Sequence, residues 1–162
     1  MFPQTYHFHF HLHFAHLLEE RLRHRLAPFG IHPRQARILD ALGRMGQASQ
    51  VELAREFGLC AASMSTMASR LLAAELVERR VDEREHRCHV LSLTPLGNSL
   101  LAQIHQQWHE IDREINEFIG DENADSFAAF SLQLLKAFGG SPPGDDSLEH
   151  DTGVSPSPRT TA

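Results

Sequence analysis

Between Phe8 and Pro28 nothing breaks a helix, and at about 3.6 residues per turn Phe10, Phe14, Leu17, Leu18 and Leu22 gather on one side. The run HFHFHLHF alternates and also reads as a strand. LLEERLRHRLA continues it in helical rhythm, however, so the pattern predicts a first helix, ended by Pro28 and Gly30. A second helix is predicted from about Pro33 to Arg44, with Ile38, Leu39 and Leu42 facing inward and Gly43 and Gly46 closing it. Ser49-Gln50-Val51-Glu52 fits a capping box, in which hydroxyl and carboxylate each satisfy a backbone donor left over at a helix start. That third helix ends at Gly58, a residue suited to a left-handed cap.

Cys60 to Glu75 predicts a fourth helix with Met64, Met67, Ala68, Leu71 and Leu72 toward the core and Ala62, Ser63, Thr66, Ser69 and Arg70 facing away. Two short amphipathic helices joined by a tight glycine turn form a helix-turn-helix. From Leu76 to Leu93 the runs LVERRV and RCHVLSL flank the charged tip DEREH, which is a hairpin pattern. Thr94 then caps a fifth helix with Pro95 in its first turn, running to about Ile119, and a sixth covers about Asp121 to Phe138. The expected fold class is mainly α with a small β-hairpin wing: a winged helix-turn-helix over residues 32–93, plus a helical dimerisation region made of residues 1–31 and 94–140. Leu100, Leu101, Ile104, Trp108, Ile111 and Ile115, with Phe127, Phe130, Leu134 and Leu135, exceed what so small a reader covers, so a second copy of the chain is the expected cover.

Composition refines this picture. A chain of 162 residues with 41% apolar side chains suffices for one compact domain. Residues 141–162, rich in Pro, Gly, Ser and Asp, are expected to form a disordered acidic tail. The formal charge of −6 argues against nucleic acid until it is divided by segment. From His32 to Leu93 nine Arg face eight acids, whereas residues 94–140 hold two bases and seven acids, so the acid sits outside the reader. Basic charge is nearly all Arg, the side chain suited to bidentate phosphate and base contacts. No uncharged apolar run reaches the roughly eighteen residues a bilayer span needs, and MFPQTYHFHFHLHF lacks the order of a signal peptide, so no membrane is expected and the cytoplasm is the expected location. Cys60 and Cys88 are too few for a disulfide framework.

The stretch from Gln50 to Gly97, with LAREFGL, a serine-rich helix, LVERR and LSLTPLG, closely resembles the MarR family of winged-helix regulators. The resemblance implies a homodimer joined through the first, fifth and sixth helices, which presents two recognition helices to successive major grooves of double-stranded DNA. Carried onto this chain, it places Ser63, Ser65, Thr66, Ser69 and Arg70 at DNA-facing or flanking positions of the fourth helix, and Arg84, His86 and Arg87 in the wing. Relatives often carry a long donor where Thr66 stands, which implies weaker base readout and more reliance on DNA shape. Cys60 stands where a capping Ser is common, and Glu75 where relatives often carry Gly.

The implied function is a transcriptional regulator, as a repressor modulated by an effector. Three effector chemistries compete. His9, His13, His16, Glu20 and His24 share one stripe, and His105 and His109 lie one turn apart, so zinc or another divalent metal is a candidate ligand. Cys60 at a helix start and Cys88 in the wing are candidate thiol switches. A small aromatic or amphipathic acid follows from the resemblance alone. The rival function is a winged-helix protein-interaction module that does not bind DNA. An enzyme is not expected, because no paired carboxylates, nucleophile motif or phosphate loop can be placed around a cleft.

Overall fold

The computed structural model describes residues 6–81 and 89–144. Helix α1 (His7–Leu26) leads through a 3₁₀ turn (Ala27–Phe29) to α2 (Pro33–Met45). Strand β1 (Gln47–Ser49), α3 (Gln50–Glu56), α4 (Ala61–Ala73), β2 (Val77–Val81) and β3 (His89–Leu93) follow, and α5 (Pro95–Ile119) and α6 (Asp121–Ala137) complete the fold.

Local chemistry accounts for these boundaries. Ser49 Oγ accepts from the Glu52 amide at 3.2 Å and the Glu52 carboxylate accepts from the Ser49 amide at 2.6 Å, which is the expected capping box. The start of α2 repeats the device with a residue the pattern did not suggest: His32 Nδ1 accepts from the Arg34 amide, and Gln35 Oε1 accepts from the His32 amide at 3.0 Å. Gly46, at φ 76°, closes α2. Gly43 does not; it lies inside the helix, where an added Cβ would stand 2.5 Å from Leu101 Cδ2. Its value is the close approach of α5 rather than helix termination.

The sheet has three antiparallel strands in the order β1-β3-β2, with Ala48 opposite Leu91 and Val77 opposite Leu93. The hairpin was expected and β1 was not. Side chains from α1, α2, α3, α4, β3 and α5 meet in one core: Leu26, Ile38, Leu39, Leu42, Leu53, Met64, Leu71, Leu91 and Ile104 are fully enclosed. Each such side chain contributes roughly 1.5–3 kcal/mol by burial. Leu26 and Ile104 belong to α1 and α5, so the long helices are rooted in the reader's own core.

The hairpin base is locked to α5. Thr94 Oγ1 accepts from the Gly97 amide at 3.0 Å and donates to the Glu75 carbonyl at 2.7 Å, while the Thr94 amide donates to the Leu76 carbonyl. A Cβ on Gly97 would meet the Leu76 carbonyl oxygen at 2.0 Å, so only glycine fits there.

Beyond the core the long helices are bare. Phe8, Phe10, Leu12 and Leu17 on α1, and Phe127, Phe130, Leu134 and Leu135 on α6, are exposed, and Ala124 is the buried residue of α6. Among the described residues no helix is long and apolar enough to cross a membrane.

Candidate nucleic-acid interface

Helix α4 divides by its periodicity. Met64, Ala68 and Leu71 are buried against the core, and Met67 and Leu72 pack at its edge. The opposite face shows Ala62, Ser63, Ser65, Thr66, Ser69 and Arg70 to solvent, so the structure brings together all five of the residues expected on the reading face. No described residue gives the Arg70 guanidinium a hydrogen bond or ion pair. The hydroxyls are not equivalent. Thr66 Oγ1 donates to the Ala62 carbonyl of the preceding turn at 2.9 Å, so its proton is committed within the helix and its oxygen faces outward as an acceptor.

Both ends of α4 depart from the usual caps. At the start, Cys60 is the cap residue without a side-chain cap bond, and its Sγ lies 3.2 Å from Ser63 Oγ. The bond to Ser63 lowers the thiol below its ordinary pKa, more than the weak desolvation raises it. At the end, Glu75 adopts φ 57°, a conformation that glycine takes at less cost. It is held there by its amide bond to the Leu72 carbonyl, by the Leu76 amide bond to Leu71, and by Thr94 on its own carbonyl.

The hairpin stem adds cations beside this face. Arg79 and Arg80 are exposed on β2, and Arg80 is paired with Glu78. The expected wing contacts Arg84, His86 and Arg87, and Cys88 with them, lie outside the described residues.

The candidate metal ligands are not gathered within one subunit. His9, His13, His16 and His109 are exposed and Glu20 pairs with Arg23. His105 instead sets its Nε2 2.8 Å from Asp40 Oδ1 and its ring beside Trp108. Among the described residues no group of three or more His, Cys, Asp or Glu side chains could hold an ion.

A feature that patterning missed lies where α1, α2 and α5 meet. A cavity of about 630 Å³ there is lined by Leu22, Arg34, Arg37, Phe57, Trp108 and Ile111, among others. Arg37 stands over the Phe57 ring at 5.2 Å. Trp108 lines the cavity, and its buried Nε1 has no hydrogen-bond partner among the described residues. A second hollow of about 720 Å³ between α1 and α5 is crossed by Glu114, which pairs with both Arg21 and Arg25. Those two bonds hold the Glu114 carboxyl below the usual carboxylate range.

Known proteins share this architecture. Residues 29–87 match the family model described as MarR family. No curated protein sequence matches the chain. Among solved structures, MarR from Escherichia coli is 22% identical, covers 85% of this chain and 97% of its own, and superposes with a TM-score of 0.65. A variant of MepR from Staphylococcus aureus is 20% identical, covers 83% and 98%, and reaches 0.69. A MarR variant from Escherichia coli complexed with operator DNA is 23% identical, covers 78% and 89%, and reaches 0.67. The fold is the winged helix of these regulators, mostly helical with a small antiparallel sheet.

Proposed function

We propose that this MarR-like winged helix is a sequence-specific double-stranded DNA-binding transcriptional regulator that works as a homodimer and represses until an effector binds. The observation that carries the reading is the α4 face: four hydroxyls and the Arg70 guanidinium stand in solvent on a helix whose other side is locked in the core. Such a face offers hydrogen bonds to phosphates and base edges at no cost to folding. The DNA-bound MarR variant supports the same reading by likeness of fold. The bare apolar faces of α1 and α6 support a second copy as partner.

An effector that enters the α1/α2/α5 cavity has support in the Phe57 and Trp108 rings and the Arg34 and Arg37 guanidinia that line it, which suit an aromatic acid. His105 meets Asp40, and among the described residues no third ligand joins them, so the aromatic acid is the favoured effector. The test is capture of genomic fragments by the purified protein, followed by a mobility shift over a salt series, with light scattering for mass. A regulator of this kind retains discrete fragments, weakens steeply with salt and scatters at twice the chain mass. Salt-independent or absent binding favours the protein-interaction module, and a stable monomer at micromolar concentration removes the homodimer.

A further inference from the structure

Helix α4 ends in a motif that glycine usually completes. The Leu76 amide donates to the Leu71 carbonyl and the Glu75 amide to the Leu72 carbonyl, both at 3.0 Å, with Leu71 and Leu76 in the core. This double bond pattern needs a left-handed residue, and Glu75 fills the place at φ 57°, the one non-glycine at positive φ among the described residues. There a Cβ crowds the following carbonyl oxygen, so the position is strained. Arg70 stands in the turn of α4 that this strained residue closes.

What opposes the strain comes from 19 positions further along the chain. Thr94 Oγ1 gives its single proton to the Glu75 carbonyl at 2.7 Å, with the Leu76 carbonyl as second acceptor at 3.2 Å, and itself accepts from the Gly97 amide. The Thr94 amide donates to the Leu76 carbonyl at 3.1 Å, and Gly97, bare of a Cβ, lies against that same carbonyl. The first turn of α5 is thus seated backbone to backbone on the end of α4. Elsewhere α4 packs chiefly on α3 and β2, and α5 chiefly on α1, α2 and α6.

We propose that Thr94 is a positioning residue for α4: its hydroxyl holds Glu75 in the left-handed conformation and so fixes the last turn, from which Arg70 projects. The clamp stands on the hydrogen bonds alone; its consequence for DNA rests on the reading of the α4 face given above. Because one hydroxyl both starts α5 and closes α4, a change in how α5 sits on the hairpin base passes to the reading face through it.

Thr94→Val keeps the side-chain shape and removes the proton, and Thr94→Ser keeps the hydroxyl. In the Thr94→Val background, Glu75→Gly removes strain and charge, whereas Glu75→Gln removes charge alone. Two readouts are taken on the full chain: protection of the Leu76 amide from hydrogen exchange, followed by NMR without DNA, and affinity for a fragment retained in the genomic capture. The clamp predicts lower protection and about fivefold weaker affinity in Thr94→Val, the worth of roughly one hydrogen bond. Thr94→Ser should match the parent, and Glu75→Gly should restore both readouts where Glu75→Gln does not. Loss of the α5 cap also lowers stability, but Glu75→Gly has no means to restore that cap. Equal results for Glu75→Gly and Glu75→Gln therefore overturn the proposal, as does unchanged protection or unchanged affinity in Thr94→Val. A parent that retains no DNA, with protection lost in Thr94→Val and regained with Glu75→Gly, upholds the clamp and removes the DNA-binding reading. If Thr94→Val does not fold, Thr94→Asp takes its place, since its carboxylate still accepts from the Gly97 amide but has no proton for Glu75.

Discussion

Asp40 Oδ1 lies 2.8 Å from His105 Nε2, a contact between α2 and α5 that spans 65 positions of sequence. The other oxygen of Asp40 accepts from Arg44 Nε at 3.2 Å, and Arg44 Nη2 donates to Glu56 on α3 at 2.6 Å. Three elements, one of them the helix before α4, thus share one polar chain. Asp40→Ala is expected to cost about 1–2 kcal/mol, since a partly enclosed carboxylate that serves two donors is lost. Urea unfolding of Asp40→Ala, His105→Ala and the double variant checks it: the double loss should fall short of the sum. Full additivity would mean that the pair is not coupled.

Gly97→Ala places a Cβ 2.0 Å from the Leu76 carbonyl oxygen, a collision with backbone that cannot rotate away. The expected loss is about 1–3 kcal/mol or more, read as a lower melting temperature. A variant as stable as the parent would show that the hairpin base yields.

Glu114 gives a pH dependence of definite sign. Its folded pKa lies below the ordinary value because it accepts from Arg21 and Arg25. In the window between the two values the unfolded chain binds more protons, so this stabilisation is fully present above the ordinary glutamate pKa and is lost as pH falls through the folded one. Glu114→Gln should be less stable near neutrality and lose less on acidification, with the difference shrinking in salt because Arg21 is exposed. Parallel stability curves for the two proteins from about pH 7 to about pH 3 would contradict the assignment.

Arg70→Ala should weaken DNA binding by about 1–3 kcal/mol and, for a phosphate contact, lower the salt slope by about one, with no change in unfolding. Arg87→Ala should weaken binding similarly. Ser65→Ala should cost more than Thr66→Ala, because the Thr66 proton is already given to Ala62. Equal effects of the two hydroxyl losses would refute that difference.

The helix-turn-helix was legible because its signals are local: Ser49 and Glu52 three residues apart, Gly58 at the turn, and apolar residues at helical spacing through α4. Strand β1 was not. Its three residues carry no alternating run, and it exists because Ala48 meets Leu91, far along the chain. Gly43 looked like a stop because its reason, Leu101, belongs to another helix. At the site, periodicity identified the exposed residues of α4 but could not show that Thr66 is bonded back to its own helix. For the histidines, spacing along one helix shows which rings could share a ligand but not that His105 meets Asp40 of α2. The Trp108 cavity had no local signature, since its walls come from several elements.

Helix α5 runs unbroken from Pro95, where Gly97 is pressed onto the hairpin base, to Ile119 beside the bare apolar surface. With no proline or glycine between Gly97 and its end, it behaves mechanically as a lever rather than a hinge. At a rise of about 1.5 Å per residue it is roughly 37 Å long, so a tilt of about five degrees at one end sweeps the other through about 3 Å. Leu100, Leu101 and Ile104 fix its hairpin end in the core, so the pivot lies there and the long arm ends at Ile119: a sway of that size at the far end reaches the hairpin base diminished rather than enlarged.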